Sequence, residues 1–169
     1  IKALIENEEY FVINRPRQYG KTTTLFCLKK ELLKKYLVIS ISFEGIGDII
    51  FNDEKLFCEI FLKNSAKSIK LTNKDISNKL LKYSKEVVNL DSLSDCISEF
   101  IEECNKEVIL IIDEVDKSSN NQLFLNFLGM LRNKYLEREK EEEVTFKSVI
   151  LAGVYDIKNL KLKLRPEEE

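Results

Sequence analysis

The sequence predicts an α/β protein, a three-layer sandwich on a mainly parallel sheet, and three features carry that prediction. Short apolar runs alternate with segments of helical period, the order that builds strand-helix-strand units. Residues 108–112, Val-Ile-Leu-Ile-Ile, are apolar at every position. Such a strand has no face to give to water and belongs inside a parallel sheet covered by helices on both sides. Finally, 169 residues at 44% hydrophobic content suffice for one domain with a sizeable core and are too few for two ordinary ones.

The elements follow in order. Residues 10–13 are a short apolar strand that ends in a turn-like segment, and residues 21–36 change to helical spacing with Leu25, Leu28 and Leu32 on one face. Residues 37–43 alternate, with Leu37, Ile39, Ile41 and Phe43 on one side and Ser40 and Ser42 on the other, as a second strand would. Residues 52–104 read mostly as helices with polar breaks near 71–75 and 89–92. After the apolar strand, Leu123, Phe124, Phe127, Leu128, Leu131 and Tyr135 recur at helical intervals, so residues 121–138 form an amphipathic helix. Residues 137–143 read as a solvated connection and 147–154 as a fourth strand. Residues 161–169 are charged, contain Pro166 and carry no element of their own. No internal repeat is present.

Charge and residue usage exclude several kinds of chemistry. The 27 Lys and Arg nearly cancel 29 Asp and Glu, so the net charge of -2 gives no wide basic surface for nucleic acid, although a local basic groove stays open. The charged fraction of 33%, rich in Lys and Glu, suits solvated helix faces. The absence of histidine removes Ser/His and Cys/His triads, histidine bases and nearly every imidazole zinc site. Chemistry has to rest on carboxylates, lysine and backbone. Cys27, Cys58, Cys96 and Cys104 form no CxxC pair and read as buried reduced thiols of a cytoplasmic protein. No stretch approaches the roughly 20 apolar residues of a membrane span, and no signal-peptide pattern opens the chain, so no membrane is expected.

Gly20-Lys21-Thr22 stands where the first strand hands over to the first long helix. A lone Gly-Lys-Thr is common by chance, and an exposed lysine at an ordinary helix start is the plain alternative; the strand-loop-helix setting gives the motif its meaning. Glycine lets backbone approach phosphate, and the unpaired N–H groups of a first helical turn point at an anion that the helix dipole favours. Arg17, Gln18, Tyr19, Gly20, Lys21, Thr22 and Thr23 are therefore the candidate nucleotide-binding residues. Lys21 bridges the outer phosphates and the Thr22 hydroxyl ligates Mg²⁺. About four or five charge-assisted hydrogen bonds of about 1.5–3 kcal/mol each reach the roughly 8 kcal/mol of micromolar affinity after ordering costs. Arg15 stands where the usual GxxxxGK[ST] loop has its first glycine, and Pro16 removes a donor and fixes φ. A guanidinium at Arg15 or Arg17 can contact phosphate or fasten the loop to a carboxylate; anchoring is the expectation for Arg15.

In a parallel sheet the carboxyl ends of the strands face the ligand crevice, which brings Asp113 beside the phosphate loop. Asp113 is thus the second expected Mg²⁺ ligand, with Thr22, and Glu114 the expected general base that polarises the water attacking the γ-phosphate of ATP. Two acids opening a loop would be unremarkable alone. Their conjunction with the phosphate loop points to an ATP site, and Glu114 favours hydrolysis over kinase activity. No [NT]KxD motif is present for guanine; Thr72-Asn73-Lys74-Asp75 has the wrong spacing. Asp116 and Lys117 read as part of a solvated turn.

Residues 11–22 (Phe-Val-Ile-Asn-Arg-Pro-Arg-Gln-Tyr-Gly-Lys-Thr), 108–116 and 148–160 together resemble the AAA-like ATPases of bacteria and their mobile elements, whose phosphate loop reads RPRxxGK[ST]. The resemblance covers nearly the whole chain. It implies that Lys21 and Thr22 serve phosphate and Mg²⁺, that Asp113 is the metal carboxylate and Glu114 the catalytic base, and that Arg15 is a family feature. It also implies a polar sensor of the γ-phosphate after the fourth strand, with Tyr155 or Asp156 in that position. A fifth strand and a helical lid are implied too and are not found before Glu169, so residues 1–169 read as a P-loop ATPase core incomplete at its C-terminus.

The expected function is binding and Mg²⁺-dependent hydrolysis of ATP by a RecA/AAA-type core, coupled to a conformational change. Further copies of the chain or another protein are the expected partners. Two alternatives stand beside it, a nucleotide-gated interaction module without turnover and the ATPase module of a DNA-handling protein of replication, transposition or defence. Arg132, Arg138 and Arg165 are the candidates for an arginine finger acting in trans, with helix-surface or tail solvation as the default for each.

Overall fold

The computed structural model describes residues 2–14, 21–43, 45–118 and 120–153, without the side chains of Lys2, Asn14, Lys21, Thr22, Thr23, Thr24 and Lys117. The elements are α1 (Lys2–Glu6), β1 (Phe11–Asn14), α2 (Lys21–Leu32), β2 (Leu37–Ser42), α3 (Glu54–Ile69), α4 (Lys74–Glu86), α5 (Leu90–Glu103), β3 (Val108–Asp113), α6 (Gln122–Glu139) and β4 (Ser148–Gly153). Short 3-10 turns occupy Asp48–Asn52 and Val115–Ser118. The strands form one sheet in the order β1-β4-β3-β2, and every pairing is parallel.

The period of two along each strand divides the core into two layers. Phe11, Ile13, Val38, Ile109, Ile111, Ile150 and Ala152 face α1 and α2, where Ile5, Leu25 and Leu32 close over them. The alternate residues Leu37, Ile39, Ile41, Val108, Leu110, Ile112, Val149 and Leu151 face the larger helical layer, whose Phe57, Phe61, Phe100, Phe124, Phe127 and Leu131 fill the other core. The three-layer α/β sandwich expected from the sequence is thus present. Each fully buried Ile or Leu contributes about 1.5–3 kcal/mol, which explains why β3, buried on both faces, tolerates no polar residue before its last position.

The polar breaks expected among the helices are caps. Asp53 accepts the N–H of Leu56 at the start of α3, and Asn73 accepts that of Ile76 at the start of α4. Asn89 and Ser92 form a reciprocal capping box on α5. Asn121 caps α6 through the Phe124 N–H and donates from Nδ2 to Phe51 O, tying α6 to the turn after β2.

Four expectations need correction. The helix expected over residues 21–36 ends at Leu32, because residues 33–35 turn the chain into β2. Of the four cysteines only Cys58 is buried; Cys96 and Cys104 are partly exposed, and Cys27 is exposed because it lies off the Leu25–Leu28–Leu32 face of α2. The connection at 137–143 is partly helical, and its Glu143 turns inward. Finally, Lys134 is only 2% exposed, contrary to a solvated lysine-rich surface, since it continues the α6 stripe of Phe127 and Leu131.

Candidate functional site at the carboxyl edge of the sheet

Because all strands are parallel, their C-terminal ends lie along one edge. Asn14 pairs with Gly153, Ser42 pairs with Asp113, and Ile112 pairs with Leu151, so Asp113 comes level with Ala152. The edge therefore presents Asn14, Gly153, Asp113 and Ser42 in that order. At about 4.8 Å per strand, the tips of β1 and β3 are about 10 Å apart, with the tip of β4 between them. The chain leaves β1 at this edge and enters β2 at the opposite one, so α2 runs back along the sheet with its Lys21 end on the same side as the three tips.

Asp113 follows Ile109 and Ile111 in the alternation and so lies on the α2 side of the sheet, as does its register partner Ser42. Asp113 is half-buried, and its Oδ1 accepts the N–H of Glu114 at 2.8 Å. Glu114 has a φ of 56°, a left-handed conformation that costs a non-glycine residue about 1–2 kcal/mol. Glu8 and Glu141 adopt the same conformation in turns, so the strain is not diagnostic by itself. At Glu114 it bends the chain off the sheet directly after the last residue of β3.

Val115 then anchors the turn in the core, and Ser118 Oγ closes it by donating to Val115 O at 3.1 Å. Asp116 returns over the tip of β4. A Cβ added to Gly153 would lie 2.4 Å from Asp116 Oδ1 and 3.2 Å from its Cγ. Asp116 is half-buried there, not the solvated turn residue expected from the sequence.

The donor set fits a small hard cation. Asp113 and Ser42 offer oxygen only, and among the described residues no group of three or more His, Cys, Asp or Glu is arranged to hold a metal. That suits Mg²⁺, which takes one or two protein oxygens and completes its shell with phosphate and water. The start of α2 fits an anion. The helices α3, α4 and α5 each carry an acid in the first turn, whereas the first turn of α2 is Lys-Thr-Thr-Thr. No carboxylate of its own offsets the positive end of that helix.

A family model described as an AAA-like domain matches residues 2–156. The chain belongs to the AAA-like domain family. Its fold is similar to that of a chain in a structure of Drosophila ORC bound to DNA, with a TM-score of 0.52 and 16% identity, over 98% of this chain and 77% of that one. No curated protein matches the chain. Family and fold are those of a nucleotide-binding, ATPase-like module. No helix among the described residues is long and apolar enough to cross a membrane.

Of the residues singled out in the sequence of this AAA-like domain, Asp113 and Glu114 stand at the carboxyl edge, and Lys21, Thr22 and Thr23 open α2 on the same side of the sheet. The side chains of those three, all of Arg15, Pro16, Arg17, Gln18, Tyr19 and Gly20, and Tyr155, Asp156 and Arg165 lie outside the described residues. Arg138 is not a solvated helix-surface residue. Its Nη1 donates to Phe146 O at 2.6 Å and its Nη2 to Glu8 O at 3.1 Å, and its guanidinium lies over the rings of Tyr135 and Tyr10. Arg138 thus fastens α6 to the chain entering β1 and β4. Sequence reasoning missed the contact of Asp116 with Gly153, whose one signal is a glycine closing a strand otherwise filled with larger residues.

Proposed function

We propose that this AAA-like domain binds ATP with Mg²⁺ between the start of α2 and the tip of β3, hydrolyses it, and passes the change to α6. The observation that carries the proposal is the parallel register, which brings the strand leading to the phosphate loop and the strand ending in Asp113 to one edge two strand spacings apart. Residues 1–169 act in it as one P-loop ATPase core. Backbone N–H groups of Arg17, Gln18, Tyr19, Gly20 and Thr23 hold phosphate oxygens, and Lys21 neutralises the outer phosphates. Thr22 and Asp113 hold Mg²⁺. When bound, that ion neutralises charge on the phosphate oxygens.

Glu114 orients the attacking water and accepts its proton on the carboxylate as the water oxygen bonds to the γ-phosphorus; ADP leaves with the electron pair of the broken P–O bond. The turn after Glu114 leads within a few residues to Asn121, which both caps α6 and bonds to Phe51 O. Movement of Glu114 with the state of the nucleotide is thereby transmitted to α6 and to the turn after β2. The test is titration with a fluorescent ATP analogue with and without EDTA, followed by phosphate release with and without DNA. Mg²⁺-dependent binding with release of phosphate supports the proposal. Tight binding with no release in the intact protein would point instead to a nucleotide-gated interaction module.

A further inference from the structure

Gly153 is the last residue of β4, and its position is decided by space. Around Gly45, Gly47 and Gly129 a Cβ would meet nothing within 4 Å, whereas at Gly153 it would come within 2.4 Å of Asp116 Oδ1 and 3.3 Å of Val115 Cγ2. Val115 is fully buried and cannot yield, so a side chain at 153 displaces the Asp116 carboxylate. The tip of β4 lies between the tips of β1 and β3. The carboxylate therefore occupies the space that a side chain on the last residue of β4 would fill, between the start of α2 and Glu114.

We propose that Asp116, seated on Gly153, is a second acceptor for the attacking water and a catalytic residue of this site. The inference rests on the ATP proposal above. A carboxylate can only accept hydrogen bonds and repels a phosphate, so its useful partner there is a proton-bearing group. Water has two protons. Glu114 takes one along the reaction path, and Asp116 holds the other, which fixes the direction of the oxygen lone pair that attacks phosphorus. The proton held by Asp116 stays on the oxygen and leaves with inorganic phosphate.

The test uses the intact protein in four forms beside wild type: Lys21→Ala, Asp116→Asn, Gly153→Ala and the double variant of the last two. ATP affinity, phosphate release and thermal midpoint are measured for each. Asp116→Asn is expected to lower turnover by roughly 10- to 100-fold. Its ATP affinity should be unchanged or tighter, because a negative charge near the phosphates is gone, and its thermal midpoint should be unchanged. Gly153→Ala should lose turnover in the same way, and the double variant should be no worse than Asp116→Asn, because both changes remove one contact. Should Gly153→Ala fail to fold, Asp116→Asn, which adds no bulk, decides alone. Wild-type turnover in Asp116→Asn, with binding lost in Lys21→Ala, overturns this role and leaves the ATP site standing. No Mg²⁺-dependent binding by wild type, or binding untouched by Lys21→Ala, overturns both.

Discussion

Lys134 and Glu143 meet at 3.4 Å, Nζ to Oε2, between α6 and the segment that leads into β4, and the lysine is 2% exposed. Lys134 Nζ also donates to Ser94 O at 2.9 Å, Ser94 Oγ at 3.1 Å and Ser98 Oγ at 2.5 Å, so an ammonium joins α5 to α6 inside the helical layer. The two partners are not equivalent. Glu143→Leu strands a buried charge and is expected to cost about 3 kcal/mol. Lys134→Met keeps the stem volume and leaves a carboxylate that still reaches water, Ser98 and the Val144 N–H, for a cost of about 1 kcal/mol. Urea unfolding of both variants checks the asymmetry, and the reverse ranking would contradict it.

The same pair sets an acid limit. Burial alone would raise the pKa of Glu143, but bonds from Ser98 Oγ and the Val144 N–H, with the Lys134 ammonium, outweigh it and hold the carboxyl below its ordinary 4.5. Since the folded value lies under the unfolded one, the unfolded chain takes up the proton first as the pH falls. The stability is complete above about 4.5 and is lost as the pH drops through the folded value. Glu143→Gln should be less stable than wild type at neutral pH and should flatten this part of the acid limb. Equal slopes in the two proteins below about pH 4.5, followed by unfolding in urea, would assign the acid limb to other carboxylates.

Arg138→Lys should destabilise the fold by about 2 kcal/mol, because one ammonium cannot bond to both Phe146 O and Glu8 O or stack on Tyr135 and Tyr10 as a planar guanidinium does. Turnover per folded molecule should not change. A turnover defect at wild-type thermal stability would return Arg138 to the role of a finger acting in trans.

Thiol reactivity should follow burial. Cys27 is exposed on α2, while burial pushes the Cys58 thiol up to about 12 and, with nearby acids, that of Cys96 to about 11; burial does the same for Cys104, to about 11. A thiol near 11 or 12 holds almost no thiolate at neutral pH. Maleimide labelling read by peptide mass spectrometry should modify Cys27 first and Cys58 last. Early labelling of Cys58 would mean that α3 opens from the sheet.

The parts of the fold that were legible in the sequence are those in which one residue pattern admits one environment. An all-apolar run can only be an inner parallel strand, and Asn73 and Asn89 mark helix starts because their side chains cap the helix. Asp113 and Glu114 stood out because they end that run. Strand order was not legible, since pairing of β4 between β1 and β3 depends on packing over the whole sheet, and without it nothing links Asp116 to Gly153. Lys134 and Arg138 were hidden by composition: in a chain rich in Lys and Glu, a basic residue on a helix reads as solvated. Position was the better guide for Lys134, which lies three residues after Leu131 and seven after Phe127 on the buried stripe.

The joint site of α2 and β3 is tested most directly by equilibrium ATP binding, with phosphate release, in wild type, Lys21→Ala and Glu114→Gln. Lys21→Ala should abolish binding. Glu114→Gln should bind as wild type does and lose turnover by roughly 100-fold, the contribution of a positioned general base. An equal loss of binding in both variants, or normal binding in both, would contradict a shared Mg·ATP site with these two residues in separate roles.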